Sequence, residues 1–144
     1  MKLIILLLVI TSIFIFSMSS GAIYASNDTA SDLLKSGYEK LTKRDPAAAI
    51  EHFNKAISID SSNSYAHTGL GNAYTQTGDT KAAIENFNKA ISINPNNSSA
   101  YVSLWNLYSS RGDATSMLKK EEILKKLEKL DKSLADKISR PTAK

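Results

Sequence analysis

Apolar residues follow two regimes along the chain. From Leu3 to Met18 they run almost unbroken, "LIILLLVITSIFIFSM". From about Ala30 they recur at helical spacing instead. In "TKAAIENFNKAISI" (80–93) the residues Ala83, Ile84, Phe87, Ala90 and Ile91 are spaced 1, 3, 3 and 1, which is one face of a helix. A first helix from about Ser64 to Gln76 precedes it, and "TGDT" joins the two. Gly78 can supply the left-handed residue that ends the first helix, and Asp79 caps the second. Earlier in the chain, "RDP" does the same with Asp45 as cap and Pro46 as first helical residue. After the pair, Pro95 in "NPNNS" cannot continue the helix, and Ser98 is expected to cap the next one.

This helix pair is written more than once. Residues 46–63 and 80–97, offset by 34, agree at 12 of 18 positions. The offset also carries Asp45 to Asp79 and Asp113, Gly37 to Gly71, Asn72 to Asn106, Tyr74 to Tyr108 and Gly78 to Gly112. Ala83 and Ala90 are small enough for neighbouring helices to approach, and Phe87 fills the space between them. One hairpin cannot bury such a face alone, and stacking the next hairpin against it does, which is the physical reason for repetition.

These residues resemble the tetratricopeptide repeat, a two-helix unit with the same period. The family pattern asks for an apolar or aromatic residue, Leu-Gly, Tyr, Ala, Phe, Ala and Pro in turn. The second unit answers with His67, Leu70-Gly71, Tyr74, Ala83, Phe87, Ala90 and Pro95, and only His67 departs. The first unit gives Leu33, Ser36-Gly37, Lys40, Ala49, Phe53, Ala56 and Ser61, a better match in its second helix than in its first. The third begins with Tyr101, Leu104-Trp105 and Tyr108, then has Met117, Glu121 and Leu124 where Ala, Phe and Ala belong. The resemblance spans about Ala30 to Glu128. It implies an all-α fold, a right-handed α-solenoid of about three helix-turn-helix units plus a C-terminal capping helix. The corresponding division is 1–25 as signal peptide or signal anchor, 26–29 as linker, 30–63, 64–97 and a degenerate 98–130 as repeats, and 131–144 as the end of the capping helix and a loose tail.

That capping helix is expected to be continuous, its period running through Leu118, Ile123, Leu127, Leu130, Leu134 and Ile138. Glu121/Lys125, Glu122/Lys126 and Glu128/Lys132 would dress its outer side at four-residue spacing. The alternative is a short coiled-coil seam, Ile123, Leu127, Leu130 and Leu134, that pairs two chains weakly.

Composition changes the picture at the ends. Lys2, the apolar run and the small residues of "SMSSGAIYAS" form the pattern of a secretory signal peptide, cut after Ala25 or, alternatively, Ala22. A buried helix and an uncleaved anchor are the competing readings; the run is slightly short for a span of roughly 20 residues. Cleaved or anchored, the repeats are expected outside the cytoplasm, periplasmic or secreted, with the membrane touched only through residues 1–25. The chain has no cysteine, so disulfides contribute nothing to its stability and lipoprotein attachment is excluded. Its formal charge is +4. Residues 1–117 carry nine basic and nine acidic residues, and 118–144 carry nine and five, so the excess is a mildly basic tail. With acids interspersed and no aromatic-lined basic face, nucleic acid is not expected as a partner.

Reactive chemistry is not apparent. His52 and His67 have no second ligand at metal spacing; His67 reads as a packing residue, and His52 as lying on an exposed face beside Glu51. No nucleophile elbow or phosphate-cradling loop is present. "NDT", "NNS" and "NSS" fit the N-glycosylation pattern. No cofactor, no metal and no enzymatic activity are expected.

The resemblance instead implies a concave groove lined by the first helix of each unit. Its contact positions fall on Ser31, Leu34, Tyr38, Leu41 and Thr42, on Tyr65, Thr68, Asn72, Thr75 and Gln76, and on Ser99, Val102, Asn106, Ser109 and Ser110. Asn72 and Asn106 stand where the family often holds a ligand's backbone; the competing reading is that they tie helices together. The family's carboxylate clamp of Lys and Arg is reduced to Lys35. The expectation is an exported scaffold that binds a peptide segment or helix of a partner protein, with a self-associating envelope component as the alternative.

Overall fold

The computed structural model describes residues 28–139. Among these it contains seven helices and no strand: α1 Ala30–Thr42, α2 Pro46–Ile59, α3 Ser64–Thr77, α4 Thr80–Ile93, α5 Ser98–Arg111, α6 Ala114–Leu130 and α7 Lys132–Ser139. Consecutive helices pack as antiparallel neighbours, and α1 also touches α3, as α3 touches α5. The chain is an all-α solenoid of stacked hairpins.

Two series of helix caps set the period. Asp45, Asp79 and Asp113 cap α2, α4 and α6, each accepting from the backbone N–H three residues on. Thr29, Asn63 and Asn97 do the same for α1, α3 and α5. Asp131 continues this second series, its carboxylate accepting from the Leu134 N–H at 3.0 Å. Each series advances by the repeat offset, and the second places a cap at the start of α7. The expected continuous capping helix is therefore broken at Asp131. The break also removes the four-residue geometry of Glu128/Lys132, and of the three expected pairs only Lys125–Glu121 closes, at 3.1 Å. Ser98 is the first residue of α5 and not its cap; Asn97 holds that place.

The turns follow the same register. Gly78 and Gly112 end α3 and α5 with φ of 84° and 68°. The equivalent residue of the first turn is Arg44, which takes φ 56° with a side chain attached. That conformation costs an L-residue roughly 1–2 kcal/mol.

The core lies between helices. Ala49, Phe53, Ala56, Ala83, Phe87 and Ala90 are all wholly buried. Phe53 is pressed between Gly37 of α1 and Gly69 of α3, and a Cβ on Gly71 would lie 2.6 Å from the Phe87 ring. In the third unit Trp105 replaces that glycine. Here α6 buries Ser116, Ile123 and Leu127, and leaves Met117 and Leu118 at 64% and 71% exposure. Leu118 thus leaves the expected apolar stripe. Ile123 and Leu127, two residues of the alternative two-chain seam, pack inside the chain with Leu104 and Tyr108, while Leu130 is exposed.

Candidate functional site

The first helices of successive units, α1, α3 and α5, carry every residue of the expected groove. Leu34 and Tyr38 are half-buried and pack on the Phe53 cluster, with the Tyr38 ring edge-on to Phe53 at 5.1 Å. The Tyr38 hydroxyl donates to the Tyr65 carbonyl at 3.0 Å, and burial pushes its pKa up to about 12. Leu41 is buried at 8% and belongs to the same cluster. Tyr65 projects at 51% exposure. Thr75 and Gln76 are exposed; the Thr75 hydroxyl donates to the Gly71 carbonyl at 2.9 Å, and the Gln76 amide donates to the Leu41 carbonyl at 3.3 Å. Leu41, Thr42, Arg44, Pro46 and Gln76 surround an open hollow of about 560 Å³ where the first two units meet. On α5, Val102 is half-buried, and Asn106 and Ser109 are exposed.

Thr68 does not line the groove. It is 1% exposed and forms the floor of a polar knot. Its hydroxyl donates to the Ser64 carbonyl at 3.0 Å and accepts from the Asn97 amide at 3.1 Å, and the same amide reaches the Ser64 hydroxyl at 3.2 Å. The Asn97 carbonyl oxygen meanwhile accepts from the Ala100 N–H at 3.1 Å. This single side chain caps α5 and locks it to α3. Burial of its amide removes Asn97 from the glycosylation pattern, since an acceptor must be reachable. The other patterns fall on exposed Asn96 and on Asn27, which lies outside the described residues.

Asn72 and Asn106 behave differently. They sit one repeat apart on adjacent groove helices, Asn72 half-buried and Asn106 exposed. Neither side chain makes a hydrogen bond among the described residues. The helix ties are made by Gln76, Asn97 and Tyr38 instead. Both amides are thus uncommitted, each with donors and an acceptor.

The histidines have separate fates. His67 is half-buried, its Nδ1 3.2 Å from the Asn86 Oδ1 of the partner helix α4. His52 is also half-buried, contrary to the expected exposed face; its Nδ1 is enclosed with no hydrogen-bond partner among the described residues. It stands one repeat before Asn86, opposite Leu33 where the next unit has His67, so the repeat offers it no polar partner. Among the described residues no group of three or more His, Cys, Asp or Glu is placed to hold a metal ion, and no helix is long and apolar enough to cross a membrane. Residues 1–25, expected as signal peptide or anchor, lie outside the described residues.

Comparisons with known proteins agree on the repeat. Residues 64–97 match the family model described as tetratricopeptide repeat, and residues 45–78 match one described as TPR repeat. A TPR repeat-containing protein of Picosynechococcus sp. is 33% identical over 64 residues, 44% of this chain. The match spans 16% of that relative's length. A crystal structure of MamA superposes with a TM-score of 0.63 at 30% identity, covering 72% of this chain and 61% of that one. The first TPR of Spaghetti (RPAP3), bound to an HSP90 peptide, superposes with a TM-score of 0.67 over 76% of this chain and 89% of that one; at 18% identity this likeness shows the fold alone.

Proposed function

Because the chain is a tetratricopeptide-repeat protein, we propose that it is a non-enzymatic binding module that holds an extended segment or helix of a partner protein on the face of α1, α3 and α5. The observation that carries this is the pair Asn72 and Asn106, equivalent positions on successive helices whose amides are not spent inside the fold. Such amides can hold a backbone without reading its sequence. The groove around them is neutral, hydroxyl- and amide-rich, with Tyr65 and Val102 for apolar contact. Lys35 is its sole basic residue at the carboxylate-clamp positions, so the partner is an uncharged or mixed segment and not an acidic terminal tail. The apolar N-terminal run supports an exported protein, periplasmic or secreted, or one tethered outside the cytoplasm by an uncleaved anchor.

The test is crosslinked capture from the native envelope or secreted fraction, with Asn72→Ala/Asn106→Ala as the control bait. The expected result is a specific protein lost in the double variant while helicity stays near wild type. Loss of the fold in that variant would make the asparagines structural and end the groove reading. Recovery of the bait alone would favour self-association, through the Ile123–Leu134 segment, where Leu130 is exposed, or through end-to-end stacking of the repeats.

A further inference from the structure

A pocket of about 370 Å³ lies between α4, α5 and α6, away from the groove. Its floor is apolar, built from Ile91, Leu104, Tyr108 and Ile123, and its rim carries Lys119, Glu122 and Lys126. The pocket side of α5 (Tyr101, Leu104, Tyr108) is turned roughly 130° from the groove side (Val102, Asn106, Ser109), from the angular step of an α-helix. On its α6 side the pocket is lined by Lys119, Glu122, Ile123 and Lys126. The volume falls within the range of ligand sites, roughly 300–1,000 Å³.

The rim gives the pocket a charge preference. Glu122 and Lys126 are four residues apart, yet no ion pair joins them among the described residues; both turn to the pocket. The Lys119 ammonium lies 5.3 Å from the Tyr108 ring centroid, held over an aromatic face and not over a carboxylate. Two lysines against one glutamate leave a net positive rim. It lies within residues 118–144, where nine basic and five acidic residues carry the whole excess charge of the chain.

We propose that this pocket is a second docking point, on the back of the solenoid, for an apolar anchor side chain flanked by carboxylates on a partner protein. The apolar floor takes the side chain, and Lys119 and Lys126 take the flanking acids. The groove and this pocket differ in chemistry, since the groove is neutral, so one partner segment does not satisfy both.

The probe is a capped pentapeptide with a central phenylalanine flanked by glutamates, titrated into the purified, isotope-labelled full chain and followed by amide NMR shifts. Shifts centred on Ile91, Leu104 and Ile123 are expected. They should weaken with the glutamine counterpart of the peptide, and roughly two- to tenfold for Lys119→Gln/Lys126→Gln, as for exposed ion pairs. Asn88 lines the mouth from an exposed position, and Asn88→Trp should remove the shifts without unfolding the chain. No shift at these residues, equal shifts with the glutamine peptide, or indifference to the double lysine variant would overturn the proposal. Shifts confined to Asn72 and Asn106 would assign acidic segments to the groove and overturn it as well.

Discussion

In the second unit Gly71 on α3 makes room for Phe87 on α4, and Ala83, Phe87 and Ala90 are wholly buried. In the third unit Trp105 stands in the place of Gly71 and Glu121 in that of Phe87. Bulk has moved from the second helix of the pair to the first. Trp105 is half-buried, its Nε1 enclosed without a partner among the described residues and Lys120 Nζ 4.9 Å from its ring. The buried face of α6 has shifted with it, to Ser116 and Ile123, each one residue before the repeat positions Met117 and Leu124. A one-residue shift turns a helix by roughly 100°. The repeat is therefore a packing solution that needs its glycine and phenylalanine together. Replacing both preserves the hairpin but turns a different face of the second helix inward.

The largest test of this contrast is one repeat position read twice. Phe87→Ala should cost about 3–5 kcal/mol by denaturant unfolding, the range for emptying a buried aromatic site. Glu121→Ala should stay within about 0.5 kcal/mol, as for an exposed residue. Equal losses would mean that the two units pack alike.

A smaller effect separates the two kinds of cap. Asn97→Ala removes a cap and strands the Ser64 and Thr68 hydroxyls in a buried site, so it should cost about 1–3 kcal/mol. Asp131→Ala removes an exposed cap alone and should cost about 1 kcal/mol, checked by the same unfolding curves. The turns differ in the opposite direction. Arg44→Gly should raise stability by about 1 kcal/mol, because Arg44 holds the left-handed conformation that Gly78 and Gly112 adopt freely. No gain in melting temperature would show that the Arg44 side chain compensates for its backbone.

The smallest effect is the pH dependence of the cap that opens α6. Hydrogen bonds from the Ser116 hydroxyl and N–H, then Arg111, lower the Asp113 carboxyl from 3.8 to about 2. A depressed folded-state value favours the charged form. Its contribution is complete above the ordinary carboxylate range and lost as pH falls toward about 2. Wild type should therefore melt above Asp113→Asn at about pH 6, with the gap closing near pH 2. A gap that persists at low pH would mean that the cap works without its charge.

Much of the fold was legible because repetition converts one good reading into three. Asp79 and Gly78 were recognisable as cap and stop, and the offset carried them to Asp113 and Gly112. The break at Asp131 was not legible, because the leucine period continues across it and hides the cap. The series Thr29, Asn63, Asn97 and Asp131 was the missed signal, visible only when cap residues are aligned at the repeat offset. At the expected groove positions, spacing placed the residues on α1, α3 and α5 but did not give their state. Thr68 carries the groove spacing, yet the Asn97 amide from the next unit draws it inward, a contact between residues 29 apart that no local pattern reveals. The uncommitted state of Asn72 and Asn106 is likewise a property of their surroundings.

Site-specific photocrosslinking tests the binding face most directly. A photoreactive residue at Tyr65, exposed on α3, is compared with one at Met117, exposed on the altered third unit. The proposed function predicts an adduct with a partner protein from Tyr65 that disappears in the Asn72→Ala/Asn106→Ala background, and none from Met117. Adducts from Met117 alone, or only between copies of the chain, would contradict it.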